Sequence, residues 1–437
     1  MRVLHLLQNY PPWGSGGTEI FCARLCQQLK NSGVEVTVAV HQAGSLPEPG
    51  YYECEGIPVV ILPSIPDKRD RARSFTRTTV NAVGFPELLD EYQPDILHLH
   101  GFVQRNGLTH IQWAQQKGVK TVLTFHTPGV SCLRQSLLFK GREICDGEII
   151  INRCAECRLH NTGIPDVATK ILSNVEIPGL KVNNSKINYL LTSPQWTKLH
   201  QKAWLDMVNS IDALHVLAEW TRQVALVNSA PEKKIHLIRT FGPEAISTPS
   251  STRKPNHNHL NLVYVGRSNF VKGIHVILDA MDLLPREFPV KITFFTLGWE
   301  NSEYGRQQKN RIENDQRLMI RENLPNDQLL QELSQYDACL VPSIWLETGP
   351  LTVLEAFAAS IPVIGSRRGG IAELVQDGVD GMLFEPGKAQ ELAEILENLL
   401  NDSSLLTKLK ENVKPPRNST DFTQDMINLY SQLRSSS

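Results

Sequence analysis

The sequence has no excess of either charge and no long, uninterrupted apolar run. Its 44 Lys and Arg residues nearly balance its 46 Asp and Glu residues, so the composition predicts no bulk attraction to nucleic acid. The longest stretch poor in charge, residues 348–366, is interrupted by Glu355 and Pro362 and does not read as a membrane span. The apolar N-terminus stops at Pro11 and Pro12 without a small-residue cleavage site, which indicates a first strand rather than a signal peptide. These absences predict a cytoplasmic protein.

An alternation of strands and helices runs along the chain twice. A strand at 3–7, a glycine-rich turn at 14–17, a helix ending near Asn31 and a strand at 34–40 form a βαβ unit, which predicts a parallel sheet. The same rhythm restarts with a strand at 260–266, after a stretch rich in Ser, Pro, Asn and His. The predicted organisation is an N-terminal Rossmann-like domain at 1–245, a linker at 246–259, a C-terminal Rossmann-like domain at 260–414, and a C-terminal helix at 415–437 that packs back on the N-terminal domain.

Two glutamates eight residues apart flank a helix start in the second domain. Pro350 suits the first helical position, with Thr348 or Gly349 as the cap, so Glu347 is expected in the loop and Glu355 in the second turn. The helix is apolar almost all round, so Glu355 is expected in a largely buried place, where it could accept hydrogen bonds from the vicinal hydroxyls of a ribose. The alternative is a glutamate placed on the helix dipole and a second one on the surface.

Two cations follow the first strand of the same domain. Arg267 and Lys272 lie in a loop that begins at Gly266 and ends at Gly273, at the edge of a parallel sheet where a diphosphate can be neutralised. The loop matches neither the Walker P-loop nor the G-x-G-x-x-G fingerprint. By itself it is equally compatible with a solvated surface loop.

Taken together, these motifs resemble the family-4 retaining glycosyltransferases, which adopt the GT-B fold of two Rossmann-like domains facing each other across a cleft. Three features carry the resemblance: the glycine-rich first loop, the Gly-Arg…Lys-Gly loop and the Glu-x7-Glu helix. The segment 369–387, with its glycine pair, adds to them. The chain departs from the family at Glu347–Thr348–Gly349–Pro350, where Glu-x-Phe-Gly is common.

The resemblance implies a role for each matched residue. Glu355 is expected to bind the nucleotide ribose, and Glu347 to contact the transferred sugar at the reaction centre. Arg267 and Lys272 would hold the diphosphate. The remaining donor-binding candidates are the glycine loop (Gly16, Gly17) and the turn before the helix (Gly349, Leu351).

Histidines in the first domain lie at or near the carboxyl ends of two strands, the edge at which doubly wound sheets bind ligands. His126 matches the family position that hydrogen-bonds the donor sugar, and it is the second catalytic candidate. For His100 the choice between a structural and a functional role stays open, and His98 is expected to pack on the other side of its strand.

Four of the eight cysteines fall in a glycine- and charge-rich stretch, an insertion at about 130–160. Cys132 and Cys145 precede the Cys-x2-Cys pair Cys154 and Cys157, and this spacing is typical of a structural zinc site. Free thiols and redox-sensitive disulfides are the alternatives. The other four cysteines lie in strand or helix patterns and are expected in the core.

Residues 68–77 carry five cations against one acid. Either they form a solvated helix face, or they bind anionic lipid or a lipid pyrophosphate at the inner membrane face.

The predicted activity is retaining transfer of a hexose from a nucleoside diphosphate sugar, with UDP-glucose or a relative as donor, to a saccharide or lipid-linked saccharide. Cations stand where other enzymes use a metal and the chain has no Asp-x-Asp, so no catalytic divalent ion or other cofactor is expected. The rivals are a GT-B epimerase or phosphorylase, and a non-catalytic carbohydrate-binding protein. No pyridoxal-binding lysine is recognisable, and the intact Glu, Arg and Lys positions argue against decay.

Overall fold

The computed structural model describes residues 1–14, 16–44, 46–64, 71–79, 82–246, 259–321 and 326–435. These residues divide into two units, Met1–Arg239 with Thr420–Ser437 (unit 1) and Thr240–Ser419 (unit 2). None of the helices in this described part combines the length and the apolar character that crossing a bilayer requires.

Unit 1 is built on a sheet with the order β10-β9-β6-β5-β1-β2-β4-β3, parallel except for the pairing of β3 with β4. Its strands are β1 Arg2–Leu7, β2 Glu35–His41, β3 Gly50–Cys54, β4 Ile57–Leu62, β5 Ile96–Leu99, β6 Lys120–Phe125, β9 Ala213–Val216 and β10 Ile235–Leu237. A separate hairpin consists of β7 Leu138–Phe139 and β8 Glu143–Ile144. The central strands are buried on both faces and are therefore apolar along nearly their whole length.

The helices of unit 1 connect these strands and cover the sheet. They are α1 Gly17–Asn31, α2 Arg71–Thr76, α3 Phe85–Tyr92, α4 Leu108–Gln116, α5 Ile151–His160, α6 Asp166–Leu172, α7 Lys186–Leu191, α8 Ser193–Ser210, α9 Glu219–Val227 and α17 Ser419–Ser435. On α17, Tyr430 is fully buried and its hydroxyl lies 2.7 Å from His98 Nδ1, so the C-terminal helix packs on the sheet of unit 1.

Unit 2 contains a parallel sheet with the order β13-β12-β11-β14-β15-β16. Its strands are β11 Leu260–Arg267, β12 Val290–Leu297, β13 Leu318–Arg321, β14 Ala338–Val341, β15 Val363–Ser366 and β16 Gly381–Phe384. Its helices are α10 Ile274–Leu283, α11 Glu303–Glu313, α12 Asn326–Leu333, α13 Leu351–Ala358, α14 Gly369–Leu374, α15 Ala389–Asn401 and α16 Ser403–Asn412. Buried aliphatic and aromatic side chains form a core cluster on each side of this sheet.

Two α/β domains with parallel sheets are thus confirmed. Most of the predicted linker, residues 247–258, lies outside the described residues. Residues 240–246, which the composition assigns to the first domain and the edge of the linker, pack in unit 2. There the Gly242 N–H donates to the Arg417 carbonyl (3.1 Å) and the Ile246 N–H to the Ala358 carbonyl (3.2 Å).

Candidate functional site

Glu347 is a buried carboxylate in the loop that joins β14 to α13, with 8% of its surface exposed. Its Oε1 accepts three hydrogen bonds, from Lys272 Nζ at 2.7 Å, Ser343 Oγ at 2.8 Å and Trp345 Nε1 at 2.7 Å. Three donors on one oxygen fix the position of the carboxylate before any ligand arrives.

The surroundings of Glu347 favour its charged form. Burial alone would raise the pKa of this carboxyl group, but the Lys272 ammonium and the hydrogen bonds from Lys272, Trp345 and Ser343 together hold the pKa of Glu347 below its ordinary value. The same ammonium lies 5.5 Å from the ring centre of Trp345, a cation–π distance. A cation and an anion are therefore fixed side by side at the carboxyl edge of the sheet.

A glycine holds Lys272 against this loop. Lys272 ends a 3₁₀ turn at Phe270–Lys272, and Gly273 follows it with a φ of 76°. A Cβ on Gly273 would lie 2.0 Å from the carbonyl oxygen of Pro342, and the Ile344 N–H donates to the Val271 carbonyl at 2.9 Å. Only glycine permits both the left-handed backbone and this close approach.

The glycine pair at the start of α14 supports Glu347 from the other side. The Gly370 N–H donates to the Glu347 carbonyl at 2.7 Å, and a Cβ on Gly370 would lie 2.8 Å from that oxygen. Gly369 has a φ of 52°. The backbone of α14 therefore fits directly against the 347–350 turn, which explains why glycines occupy this helix start.

The first turn of α13 offers an anion-binding position. Pro350 is the N-cap rather than the first helical residue, which corrects the prediction by one position. Within the described part of the chain, the N–H groups of Leu351 and Thr352 donate to no acceptor, as expected for a helix start. Thr352 Oγ1 lies 3.5 Å from the Val265 carbonyl of β11, so this turn sits beside the loop that carries the two cations.

Arg267 is the exposed cation of this group. It ends β11, and its guanidinium has no hydrogen bond or ion pair with any residue that the structure describes. With Lys272 and the amides of Leu351 and Thr352 along the same edge, the site has two cations and a helix N-terminus for a polyanionic ligand.

Glu355 lies in the second turn of α13, as predicted, but it is only half-buried. Glu347 is the more deeply buried of the two carboxylates, because the 342–350 loop folds against the 3₁₀ turn and the start of α14. Gly349 packs closely at this place: a Cβ there would lie 2.7 Å from Thr240 Cγ2.

Ser343 and Trp345 are the site residues that sequence reasoning missed. Both lie between β14 and Glu347, in a segment without a recognisable motif. Their position after a predicted parallel strand could have identified them, because loops at the carboxyl ends of such strands carry ligand-binding residues.

In unit 1, His126 follows β6 and belongs to a hydrogen-bonded row of histidines. His5 Nδ1 lies 2.8 Å from His100 Nε2, and His100 Nδ1 lies 2.9 Å from His126 Nε2. Burial, with a smaller contribution from the nearby His215, lowers the pKa of His126 to about 3, so the imidazole is neutral at physiological pH.

The row has a preferred direction. A neutral imidazole donates through one nitrogen and accepts through the other, so the three rings must all point the same way. His5 Nε2 is buried without a hydrogen-bond partner in the described part of the protein. Which nitrogen of His5 carries the hydrogen therefore sets the tautomers of His100 and His126 as well.

His98 does not lie on the other side of its strand. Its ring centre is 4.3 Å from that of His100, because residues two apart on a strand share a face. His98 hydrogen-bonds Tyr430 (2.7 Å) and Thr124 (2.6 Å) and so anchors α17, whereas His100 reaches His126.

A compact group in the same region has the composition of a metal site. Ligand atoms of His5, Cys22 and His100 lie within 4.8 Å of one another and are all buried. Both nitrogens of His100 and one of His5 are already in the histidine row, so this group is accounted for by hydrogen bonding.

The predicted glycine loop leads into α1. Gly16 is the N-cap, and a Cβ on Gly17 would meet nothing within 4 Å. A small side chain at position 17 would thus have open space in unit 1.

The four clustered cysteines come together as the spacing suggested, since Cys132, Cys145, Cys154 and Cys157 line one cavity in unit 1. All four are free thiols, and burial raises the pKa of Cys145, Cys154 and Cys157, that of Cys154 to about 12. Of the four cysteines expected in the core, Cys22, Cys26 and Cys339 are buried and Cys54 is only partly so.

The basic segment 68–77 is only partly visible, because residues 68–70 lie outside the described part. Arg77 is buried, with 9% of its surface exposed, and Arg71 binds Asn184 (3.1 and 3.2 Å) and lies over the ring of Tyr189. Arg77 is therefore not part of a solvated face.

Two family profiles match consecutive parts of the chain: Glycosyltransferase Family 4 over residues 15–168 and Glycosyl transferases group 1 over residues 250–415. A glycogen synthase of Mycobacterium tuberculosis is 31% identical over 173 residues, which are 39% of this chain and 40% of that protein. The match thus spans less than half of that relative's length.

Solved structures extend the fold similarity to the whole chain. A sucrose-phosphate synthase from Thermosynechococcus elongatus has a TM-score of 0.68 at 18% identity, with 100% of both chains covered. The Anabaena protein HepE in complex with UDP-glucose has a TM-score of 0.61 at 14% identity, with 100% of this chain and 99% of that chain covered. At these identities the comparison establishes the fold, which is GT-B.

Proposed function

The chain belongs to glycosyltransferase family 4, and on that premise we propose that it is a retaining hexosyltransferase that uses a nucleoside diphosphate sugar. One observation carries the proposal: the ion pair of the buried Glu347 with the partly exposed Lys272, beside the exposed Arg267 and the open amides of α13. A diphosphate needs cations and N–H donors, and a sugar hydroxyl needs a fixed carboxylate. Unit 2 supplies these groups at one sheet edge.

In the proposed reaction the bond between the anomeric carbon and the diphosphate oxygen breaks, the acceptor hydroxyl attacks from the same face, and its proton passes to the departing diphosphate. Negative charge develops on the leaving diphosphate. Arg267, Lys272 and the amides of Leu351 and Thr352 stabilise that charge, and of these groups Lys272 and the amides are held in position before the reaction begins. Glu347 orients the transferred sugar, Glu355 binds the ribose, and His126 hydrogen-bonds the sugar.

UDP-glucose is the first donor to test, because HepE, which shares the fold, was solved with it. The proposed acceptor is a saccharide or a lipid-linked saccharide. Contact of residues 68–77 with an anionic inner membrane face stays a prediction. Arg77 is buried and is therefore not among the cations that would make this contact.

A thermal-shift panel of UDP-, GDP- and ADP-sugars tests donor binding, because a ligand of the native state raises the melting temperature. Arg267→Ala and Lys272→Ala should each weaken binding of the active donor by about 1.5–3 kcal/mol, the range for charge-assisted hydrogen bonds. Lys388→Ala, which removes an exposed cation at the start of α15, is the matched control and should bind like the wild type.

The stereochemistry is read from the anomeric configuration of the product by NMR. An α-linked product from an α-linked donor agrees with retention, and a β-linked product rejects it. Wild-type donor affinity in both the Arg267 and Lys272 variants would reject the donor site itself.

A further inference from the structure

The segment 132–157 of unit 1 contains little regular secondary structure before α5. Its hairpin has two residues in each strand, paired as Leu138 with Ile144 and Phe139 with Glu143. Such a short hairpin is not stable by itself in water. Three non-glycine residues close together have left-handed backbones: Gln135 (φ 63°), Leu137 (φ 51°) and Lys140 (φ 52°). These conformations persist only where surrounding contacts impose them.

The four cysteines flank the β7–β8 hairpin and lie on the helix α5 next to it. Cys132 precedes the hairpin and Cys145 follows it. Cys154 and Cys157 lie one turn apart on α5 and so share a face of that helix. All four line one cavity, in which the hairpin segment and α5 meet.

The groups around this cavity suit thiolate ligands. The Lys140 N–H donates to Cys157 Sγ at 3.2 Å, and Arg134 and Arg153 also line the cavity. Arg134 donates to the Cys157 carbonyl at 3.2 Å and is therefore held close to that sulfur. Arg153 is paired with Asp146 (Nη1 to Oδ2, 2.8 Å), so the charge of Arg134 is the one that would offset part of the net negative charge of a divalent ion bound by four thiolates.

His200 of α8 adds a nitrogen to the cavity. It is 1% exposed, and its Nε2 lies 2.7 Å from the Ser131 carbonyl, next to Cys132. Its Nδ1 is buried and has no hydrogen-bond partner among the described residues. His200 thus fixes the backbone that carries Cys132 and leaves a polar atom in need of a partner.

We propose that Cys132, Cys145, Cys154 and Cys157 bind one zinc ion in a tetrahedral structural site that fastens the β7–β8 hairpin to α5. Four sulfurs and no open position are typical of structural zinc. Each thiol gives up its proton as its sulfur binds the ion, so four protons are released. No three of these sulfurs lie within 4.8 Å of one another, so binding draws them inward through rotation of the side chains. The site does not depend on the proposed transferase activity.

Zinc content of the full-length protein, purified without chelators, tests the site. Elemental analysis should find about one zinc per chain, and cobalt substitution should produce the visible bands of a tetrahedral thiolate complex. Cys→Ser at each of the four positions should remove most of the zinc. Cys54→Ser, in β3 and outside the segment, is the matched control and should retain it.

The ligand set is tested by His200→Asn, which should keep one zinc. Loss of zinc from this variant, with zinc retained in one of the four Cys variants, would overturn the four-sulfur set. Zinc-free wild-type protein with four titratable thiols, or a mass lower by four hydrogens from two disulfides, would overturn the metal site.

A second measurement distinguishes the local effect of losing zinc from general misfolding and from an effect on the proposed transferase activity. Chelation should increase amide exchange in residues 131–157 and leave β11 and UDP binding unchanged, because those lie in unit 2. Exchange in 131–157 that does not respond to chelation contradicts a structural role for zinc. Failure of UDP to bind bears only on the proposed function.

Discussion

At the scale of single residues, Glu347 combines a structural and a chemical task. Its carboxylate is the shared acceptor for Lys272, Ser343 and Trp345, so Glu347→Gln should lower the free energy of unfolding as well as slow turnover. We expect a loss of about 1.5–2 kcal/mol, the lower part of the range for charged hydrogen bonds, because 32% of the Lys272 side chain is exposed to solvent. Urea unfolding at neutral pH measures it.

The pH dependence gives this prediction a sign. The pKa of Glu347 is lower in the folded protein than in the unfolded chain, so its stabilisation is complete above the unfolded pKa and is lost as the pH falls through the folded value. The stability difference between wild type and Glu347→Gln should therefore shrink from about pH 4 downwards, near the ordinary carboxyl pKa. A difference that stays constant into acid would mean that the charge of Glu347 contributes nothing.

His100 is the positioning residue in the histidine row. His100→Asn breaks the row and frees the tautomer of His126, which should lower the transfer rate by about 100-fold, the cost of a misplaced reacting group. His110→Asn removes a comparable buried pair, His110 with His41 (2.9 Å), and serves as the control for stability. Single-turnover rates and UDP affinity separate the two outcomes, since UDP affinity should not change in either variant. Equal rates in the two variants would leave His100 with a purely structural role.

At the scale of elements, the connection between the 3₁₀ turn and the 342–350 loop depends on Gly273. Gly273→Ala places a Cβ 2.0 Å from a backbone carbonyl, so the turn that carries Lys272 must move. Gly378→Ala has nearly the same backbone angle (φ 74° against 76°) but open space around it, which makes it a matched control. The control should cost about 1–2 kcal/mol, and Gly273→Ala should cost more and lose donor affinity as well. Calorimetry of UDP binding, with unfolding curves for both variants, compares them.

At the start of α1, in contrast to Gly273, an added side chain would have open space. A Cβ at position 17 would meet no atom within 4 Å and the backbone there is not left-handed, so we expect Gly17→Val to fold with stability close to that of the wild type. If the donor's diphosphate approaches these amides, as the family resemblance implies, the valine side chain occupies that space and transfer is lost. UDP affinity should stay close to that of the wild type, because the main phosphate contacts are proposed in unit 2. A fully active Gly17→Val would remove this loop from the reaction.

At the scale of the whole molecule, the two units divide the proposed chemistry, and ligands should stabilise them separately. UDP-glucose should slow amide exchange first in unit 2, in the Phe270–Lys272 turn and the 342–352 segment. Chelation should act on residues 131–157 of unit 1. Hydrogen exchange with each treatment alone measures both effects in one protein. If the donor slowed amide exchange only in unit 1, the assignment of the donor site to unit 2 would be wrong.

The sequence by itself determined the α/β architecture and the identities of the candidate residues. Parallel strands buried on both faces need apolar runs, and βα turns at the sheet edge need glycine and polar groups, so both leave patterns in the chain. Arg267, Lys272, Glu347 and Glu355 were identified this way, and the spacing of Cys132, Cys145, Cys154 and Cys157 was recognised as typical of a metal site.

Only the tertiary structure decided which of these groups meet. The three donors on Glu347 come from two loops about 70 residues apart in the chain, and no local pattern records such a pairing. The same holds for His5 and His100, 95 residues apart, and for α17 on the sheet of unit 1 through His98 and Tyr430. The partial exposure of Glu355 and the burial of Arg77 depend on what neighbouring elements cover. The sequence itself gives the chemical type of each residue, whereas its burial and its partners are set by contacts between distant parts of the chain.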